Sequence, residues 1–377
     1  VSIVKANTYQ DASGGSNAVF SGVASPPNSM GFRNRILNGG MVIDQRNAGA
    51  SVATTTTAAG VYTLDRWAYQ VSAASKFTVQ QNAGSVTPPA GFTNYLGCTS
   101  TSAYSVGTND YFTIQQRLEG YNTSDLAWGT ANAQTVTISF WVRSSLTGTF
   151  GGAVRNSSGG RYYLFSYTIS AANTWEYKTV TVAGDTTGTY QTTNSVAFEV
   201  WWSLGAGSGL SGTAGSWSTT NQTQPTGSTS VVGTNGATFY ITGVQLEAGT
   251  VASPFERRDY GRELMMCQRY AYVWDSSEGS GSFAKVSVGF FSSTTNFKSL
   301  TYFPVKMRAA PTSVTASGSL NMFDGASNYT ATAIAIDQAH PLTLMLEVTC
   351  SGATAYRPGT FQANNNNTAK IIVSAEL

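Results

Sequence analysis

The chain has 377 residues, enough for two or three domains of about 100 to 200 residues each, and its charged fraction of 11% is under half of the roughly 25% usual in soluble domains. A net charge of +2, with no Lys/Arg run longer than Arg257-Arg258, offers no basic field for nucleic acid or an anionic membrane. The long uncharged stretches consist of Gly, Ser and Thr rather than the about 20 apolar residues of a membrane span, while 18 Phe, 19 Tyr and 8 Trp favour short strands over long helices and predict an all-β protein.

Residues 1–33 carry Pro26-Pro27 and scattered small residues without a sustained period, which predicts an extended N-terminal arm. That segment lacks the apolar stretch of a secretory signal, so export by the usual route is not expected. Strand signals follow from Asn34. In DYFTIQQRLEG, Phe112, Ile114 and Leu118 share one face, leaving Tyr111, Gln115, Arg117 and Glu119 on the other. In QTVTISFWVR, Val136, Ile138, Phe140 and Val142 alternate with Ser139, Trp141 and Arg143, the period of a half-buried strand. NSVAFEVWWSL repeats the pattern, with Val196, Phe198, Val200, Trp202 and Leu204 against Ala197, Glu199, Trp201 and Ser203. Strands of this kind, continuing to FYITGVQLE, predict a β-sandwich over residues 34–258.

No charge falls between Glu199 and Glu247, whereas Glu256 to Arg269 are densely charged, and this shift marks a boundary. Residues 259–272 can form a short linker helix with Asp259 as N-cap and Leu264, Cys267 and Ala271 on one apolar stripe. That stripe is too short to be stable alone, and predicts burial on a three-fold axis of a homotrimer. FAKVSVGFF, LTYFPVKM, LTLMLEVTC and AKIIVSAEL then read as strands of a smaller C-terminal β-domain, 273–377.

Catalytic constellations are sparse. His340 is the single histidine, so multi-His metal ligation cannot be built within one chain, and its position before Pro341 reads as a loop. Cys98, Cys267 and Cys350 form no CxxC pair and are expected to be buried thiols. Glu119, Asp125, Asp185 and Glu199 are the carboxylates a glycosidase would need in pairs, but solvated ion pairs are the expected state, and no enzymatic activity is predicted. Asp44, Asp65 and Glu247 supply hard oxygen atoms without a calcium-loop pattern, so no metal or cofactor is assigned. Outward aromatics beside polar side chains are the stronger signal, because sugar C–H faces stack on rings while hydroxyls bond polar groups. Strand parity gives that mixture to Trp141 with Arg143, to Trp201 with Glu199, and to Tyr111 with Gln115 and Arg117. Trp67, Trp175 and Trp217 read as core or loop anchors.

The strings FRNRILNGGMVIDQRNAG, YTLDRWAY, IQQRLEGYNTSDLAWGTANAQTVTISFWVRSS, NTWEYKTVTVAGDTTGTY, ATFYITGVQLEAGTVASPFERRDYGRELMMCQRYAY and FPVKMRAAPT span about Gly31 to Pro311. Together they resemble the tail-fibre and virion-surface proteins of tailed bacteriophages. The resemblance implies a jelly roll similar to carbohydrate-binding modules, closed by GVQLEAGTVASPFERR. It further implies a homotrimeric structural protein on the particle surface, assembled in the host cytoplasm, docked to other virion proteins through the N-terminal arm and binding a host surface glycan. Two alternatives stand beside the tail fibre: a capsid decoration or head-fibre protein without a receptor, and a glycan-cleaving tailspike.

Overall fold

The structure, a computed structural model, describes residues 32–58, 60–156, 158–277 and 283–377. Residues 1–31, and with them nearly all of the expected arm, lie outside the described residues. In chain order the first strands are β1 (Val52–Ala53), β2 (Val61–Tyr62), β3 (Ala68–Val71), β4 (Phe77–Gln81), β5 (Leu96–Ser100), β6 (Tyr111–Glu119), β7 (Val136–Ser144) and β8 (Gly148–Asn156). They are followed by β9 (Arg161–Ile169), β10 (Glu176–Val182), β11 (Val196–Ala206), β12 (Ser211–Gly212), β13 (Trp217–Ser218), β14 (Gln224–Pro225) and β15 (Thr238–Ala248). Six form one antiparallel sheet in the order β1-β4-β5-β15-β7-β10, and seven form another, β13-β9-β8-β11-β6-β3-β2. The alternation in each long strand turns its apolar set toward the opposite sheet. Phe112, Ile114 and Leu118 of β6, Ile138, Phe140 and Val142 of β7, and Phe198, Val200 and Trp202 of β11 meet in one core. The result is a jelly-roll-type β-sandwich.

The segment 34–39 is locked between β15 and the chain beyond it. Asn34 donates from Nδ2 to Val244 O at 3.0 Å and accepts at Oδ1 from Leu246 N, while Glu263 accepts from Asn38 N. A Cβ on Gly39 would lie 2.1 Å from Val244 O, so only glycine fits that crossing. Arg258 reaches back to the carbonyl groups of Asn34 and Ile36. The NRILNGG, GVQLE and FERRDYGREL strings are therefore three sides of one joint.

The only α-helix among the described residues, α1 (Tyr260–Gln268), starts at Asp259, whose carboxylate accepts from Arg262 N at 2.9 Å. It does not carry the expected stripe. Ala271 opens strand β16 (Ala271–Asp275), and the face that α1 buries holds Glu263 and Cys267, with Leu264 only partly covered. Cys267 and Ala271 are fully buried within the single chain and have no surface to offer a three-fold axis.

The remaining strands are β17 (Lys285–Phe291), β18 (Asn296–Tyr302), β19 (Ser313–Ser317), β20 (Leu320–Phe323), β21 (Asn328–Thr330), β22 (Ala333–His340), β23 (Thr343–Thr349), β24 (Pro358–Ala363) and β25 (Lys370–Ser374). They make a seven-stranded sheet, β21-β20-β24-β17-β18-β23-β22, and a small one, β16-β25-β19, around a second core. His340 ends β22 rather than lying in a loop, and its Nδ1 accepts from Leu342 N. The three cysteines are free and buried.

Candidate functional site

The outward face of the seven-stranded sandwich sheet brings five of the sequence-predicted residues together. Antiparallel register sets Gln115 of β6 opposite Trp201 of β11, and Arg117 opposite Glu199. On the far side of β11, Ala153 of β8 faces Trp201 and Arg155 faces Glu199. Side chains opposite one another on one face lie about 5 Å apart, so these rows form a continuous strip. Tyr111 stands at the end of β6, its ring 6.3 Å from that of Trp201.

The strip is not open, because the uncharged segment 207–225 folds over it. Gln224 accepts from Ser203 Oγ at 2.7 Å and donates to Ala206 O at 2.8 Å, while β12 and β14 pair in parallel above the sheet. What remains is a crevice of about 230 Å³, floored by Tyr111, Arg155 and Trp201 and walled by Gln70, Asn109, Leu210, Asn221 and Thr223. Trp201 is only 2% exposed, which corrects its placement on a solvated face. The Arg155 guanidinium carbon lies 3.7 Å from its ring centroid and occupies the face a sugar would need. The indole Nε1 donates to Glu199 Oε2 at 2.8 Å. Gln115 is fully buried and Arg117 donates to Leu377 O at 2.6 Å, so neither lines the crevice.

Trp141 and Arg143 lie elsewhere, on the outer face of the six-stranded sheet. Trp141 is half-buried against its cross-strand partner Tyr177, with ring centroids 5.4 Å apart, and Arg143 Nε donates to Asn173 O at 2.9 Å. The two sets thus occupy opposite sides of the sandwich. Trp67 is a core residue, while Trp175 and Trp217 are tied through their indole nitrogens to the carbonyls of Thr87 and Ala183.

Sequence reasoning missed Arg155, Gln70, Asn109, Asn221, Leu210 and Thr223. Arg155 sits on the outward parity of its own strand, but only register shows that this strand neighbours Trp201. The crevice wall had one visible signal, the absence of charge from Val200 to Leu246.

The carboxylates are engaged. Glu119 accepts from Arg269 Nε at 3.0 Å and from Tyr270 OH at 2.5 Å, Asp125 pairs with Arg35 at 2.5 Å, and Glu199 pairs with Arg117 at 3.3 Å. Asp185 takes two hydrogen bonds from Arg161 at 2.7 Å; burial pushes its carboxyl up, but these bonds and that from Tyr190 outweigh it and hold it below the usual value. Asp44, Asp65 and Glu247 are likewise occupied by protein donors: Gly49 N, Gln45 N and Ser253 N. Among the described residues no group of three or more His, Cys, Asp or Glu is placed to hold a metal ion, and no helix is long and apolar enough to cross a membrane.

No family model matches the chain, and no curated protein matches it. Among solved structures it is similar to the enzymatically active domain of bacteriophage CBA120 tailspike protein 4, at 11% identity and TM-score 0.32 over 57% of this chain. The match covers 21% of that tailspike chain, about a fifth of its length. It is also similar to a putative sugar binding protein from Bacteroides thetaiotaomicron, at 12% identity and TM-score 0.34, covering 58% of this chain and 100% of that one. A third is TmCBM61 in complex with β-1,4-galactotriose, at 10% identity and TM-score 0.28, covering 58% of this chain and 99% of that one.

Proposed function

We propose that this protein is a non-enzymatic glycan-binding component of a tailed-phage particle, a tail fibre or tail-associated adhesin that works as a homotrimer on the particle surface. The observation that carries the binding reading is the crevice over β6, β8 and β11. It combines a half-exposed ring, Tyr111, with the amides of Gln70, Asn109 and Asn221 and the guanidinium of Arg155 within one concavity. Apolar rings with a few convergent polar groups are what a sugar site requires. Binding rather than cleavage is supported by the pairing of Glu119, Asp185 and Glu199 with arginines. The virion reading is supported by the resemblance to phage surface proteins that the NRILNGG, GVQLE and FERRDYGREL strings carry.

With the α1 stripe consumed inside one chain, the trimer contact falls to the outward face of the C-terminal sheet. Val288 at 69%, Leu300 at 38% and Tyr302 at 70% exposure lie there, and Lys298 on the same face is paired with Asp337 and Glu347. The test is a host-glycan array probed with the labelled full chain and with Tyr111→Ala, together with light scattering. Glycan capture that Tyr111→Ala weakens at least about tenfold supports the site. Capture unaffected by that change moves the ligand elsewhere, release of reducing ends from a captured polysaccharide overturns the non-enzymatic reading, and a single-chain mass overturns the trimer.

A further inference from the structure

The charge balance on the floor of the crevice is uneven. Arg155 is 6% exposed, and Asn221 Oδ1 accepts from its Nη2 at 2.9 Å, while its Nε is buried and donates to nothing. Glu199, the carboxylate in the same cross-strand row, already accepts from Trp201 Nε1 and pairs with Arg117 at 3.3 Å. Two guanidinium groups therefore share one carboxylate. Burial pushes the Arg155 pKa below its ordinary value and outweighs the opposing influence of Glu199 and of a hydrogen bond with Tyr162, yet a guanidinium keeps its proton in proteins, so a largely desolvated positive charge with only a shared carboxylate lines the cavity. A buried charge of this kind is costly unless an anion meets it.

Resting on the glycan reading above, we infer that the crevice selects sugars bearing a carboxylate, with Arg155 as the residue that reads it and Tyr111 packing on the sugar's C–H face. The stacking of Arg155 on Trp201 fixes the plane of its fork. Fixed donors on a guanidinium fork favour an anionic, bidentate acceptor over a hydroxyl, which adds no negative charge. Trp201 then acts as a positioning residue rather than as a stacking platform.

The full chain should be titrated with glucuronate-, galacturonate- and sialate-bearing oligosaccharides, each paired with its carboxyl-reduced counterpart and with a sulfated neutral one. At least one acid is expected to bind about tenfold or more tighter than its reduced partner, the gap narrowing as salt rises. Arg155→Gln should bring the pair to equal affinity, and Arg155→Lys should restore part of the gap. The reduced-partner comparison uses the unaltered protein, so it holds even if the variants fold poorly. Equal binding of acid and reduced partner, both weakened by Tyr111→Ala, would overturn carboxylate selection while keeping the glycan site. Sulfated sugars binding as well as the acids would overturn selection for the carboxylate itself, an acid preference unchanged in Arg155→Gln would remove Arg155 from the role, and binding to none of the panel or of a host-glycan array would overturn the glycan reading itself.

Discussion

Trp141 and Trp201 occupy the same parity on their strands and have different fates, because parity assigns a face and not what covers it. Trp201 is closed over by Arg155 and the 207–225 segment, whereas the ring that Trp141 packs against, Tyr177, is 44% exposed. Trp201→Ala should therefore cost about 3 to 5 kcal/mol of folding stability, and Trp141→Ala about 1 kcal/mol. Urea unfolding of the two variants checks this, and equal losses would contradict the burial difference. Asp65 gives a residue-scale pH effect. Burial pushes its carboxyl up to about 6, against the lowering influence of Arg46 and of the hydrogen bonds from Gln45. Between about pH 4 and 6 the folded state consequently holds more of this proton than the unfolded state, so the contribution of Asp65 to stability rises as pH falls from 7 to 4. Asp185 and Asp324 are shifted in the opposite direction, and their contributions are lost as pH drops below about 4. In Asp65→Asn the gain on acidification from pH 7 to pH 4 should shrink by on the order of 3 kcal/mol. A variant whose two-pH difference matches the parent would refute the assignment.

At the scale of elements, legibility follows locality. The alternation in β6, β7 and β11 could be read because a strand's two faces are written in its own residues. Register is not written there: that β8 lies beside β11, and so Arg155 beside Trp201, depends on residues 44 to 50 positions apart meeting across a sheet. The same limit explains α1. Leu264, Cys267 and Ala271 have helical spacing, but Ala271 to Asp275 pair with Lys370 to Ser374, a partner about 100 residues away, and the ladder prevails over the local period. The 207–225 segment reads as loops from its Gly, Ser and Thr content, yet it encloses the crevice, because a chain without charge can lie against a sheet without burying unpaired ions. Gly152 of β8 tests how tightly this sheet is built beneath the site. A Cβ there would lie 1.9 Å from Trp201 O and 2.7 Å from Phe165 Cζ, so backbone and ring cannot both stay in place. Gly152→Ala should cost about 1 to 3 kcal/mol or more and should also weaken glycan capture, since the strand carrying Arg155 must shift. Full stability in chemical denaturation would mean that the strands are farther apart than this packing allows.

The whole molecule contains two cores, and the contact between them is polar. Glu376 enters the sandwich edge, where Arg46 Nη2 donates to Oε1 at 3.0 Å and Arg66 donates to the other carboxylate oxygen. Arg66 is 1% exposed, donates from Nη2 to Arg117 O at 2.6 Å, and places its guanidinium 3.6 Å from the centroid of the Tyr270 ring. Arg308 adds bonds to the carbonyls of Ala375 and Glu376 and to Asn194 O in the sandwich. Around this cluster the two apolar cores stay separate, so coupling between the domains rests on buried ion pairs rather than on shared apolar surface. Removing one partner from such a cluster leaves the other charged and desolvated, a loss of about 3 to 5 kcal/mol. Glu376→Ala should therefore strip Arg46 and Arg66 of their counter-ion and leave each core its own apolar packing. In calorimetry the variant is expected to show two transitions, the first at a lower temperature than in the parent chain. Glu376→Gln keeps two polar atoms for the arginines but not the charge, and should fall between the two. If Glu376→Ala melted in one transition at the parent temperature, the cluster would be a surface contact, and the coupling would have to come from the NRILNGG joint and α1.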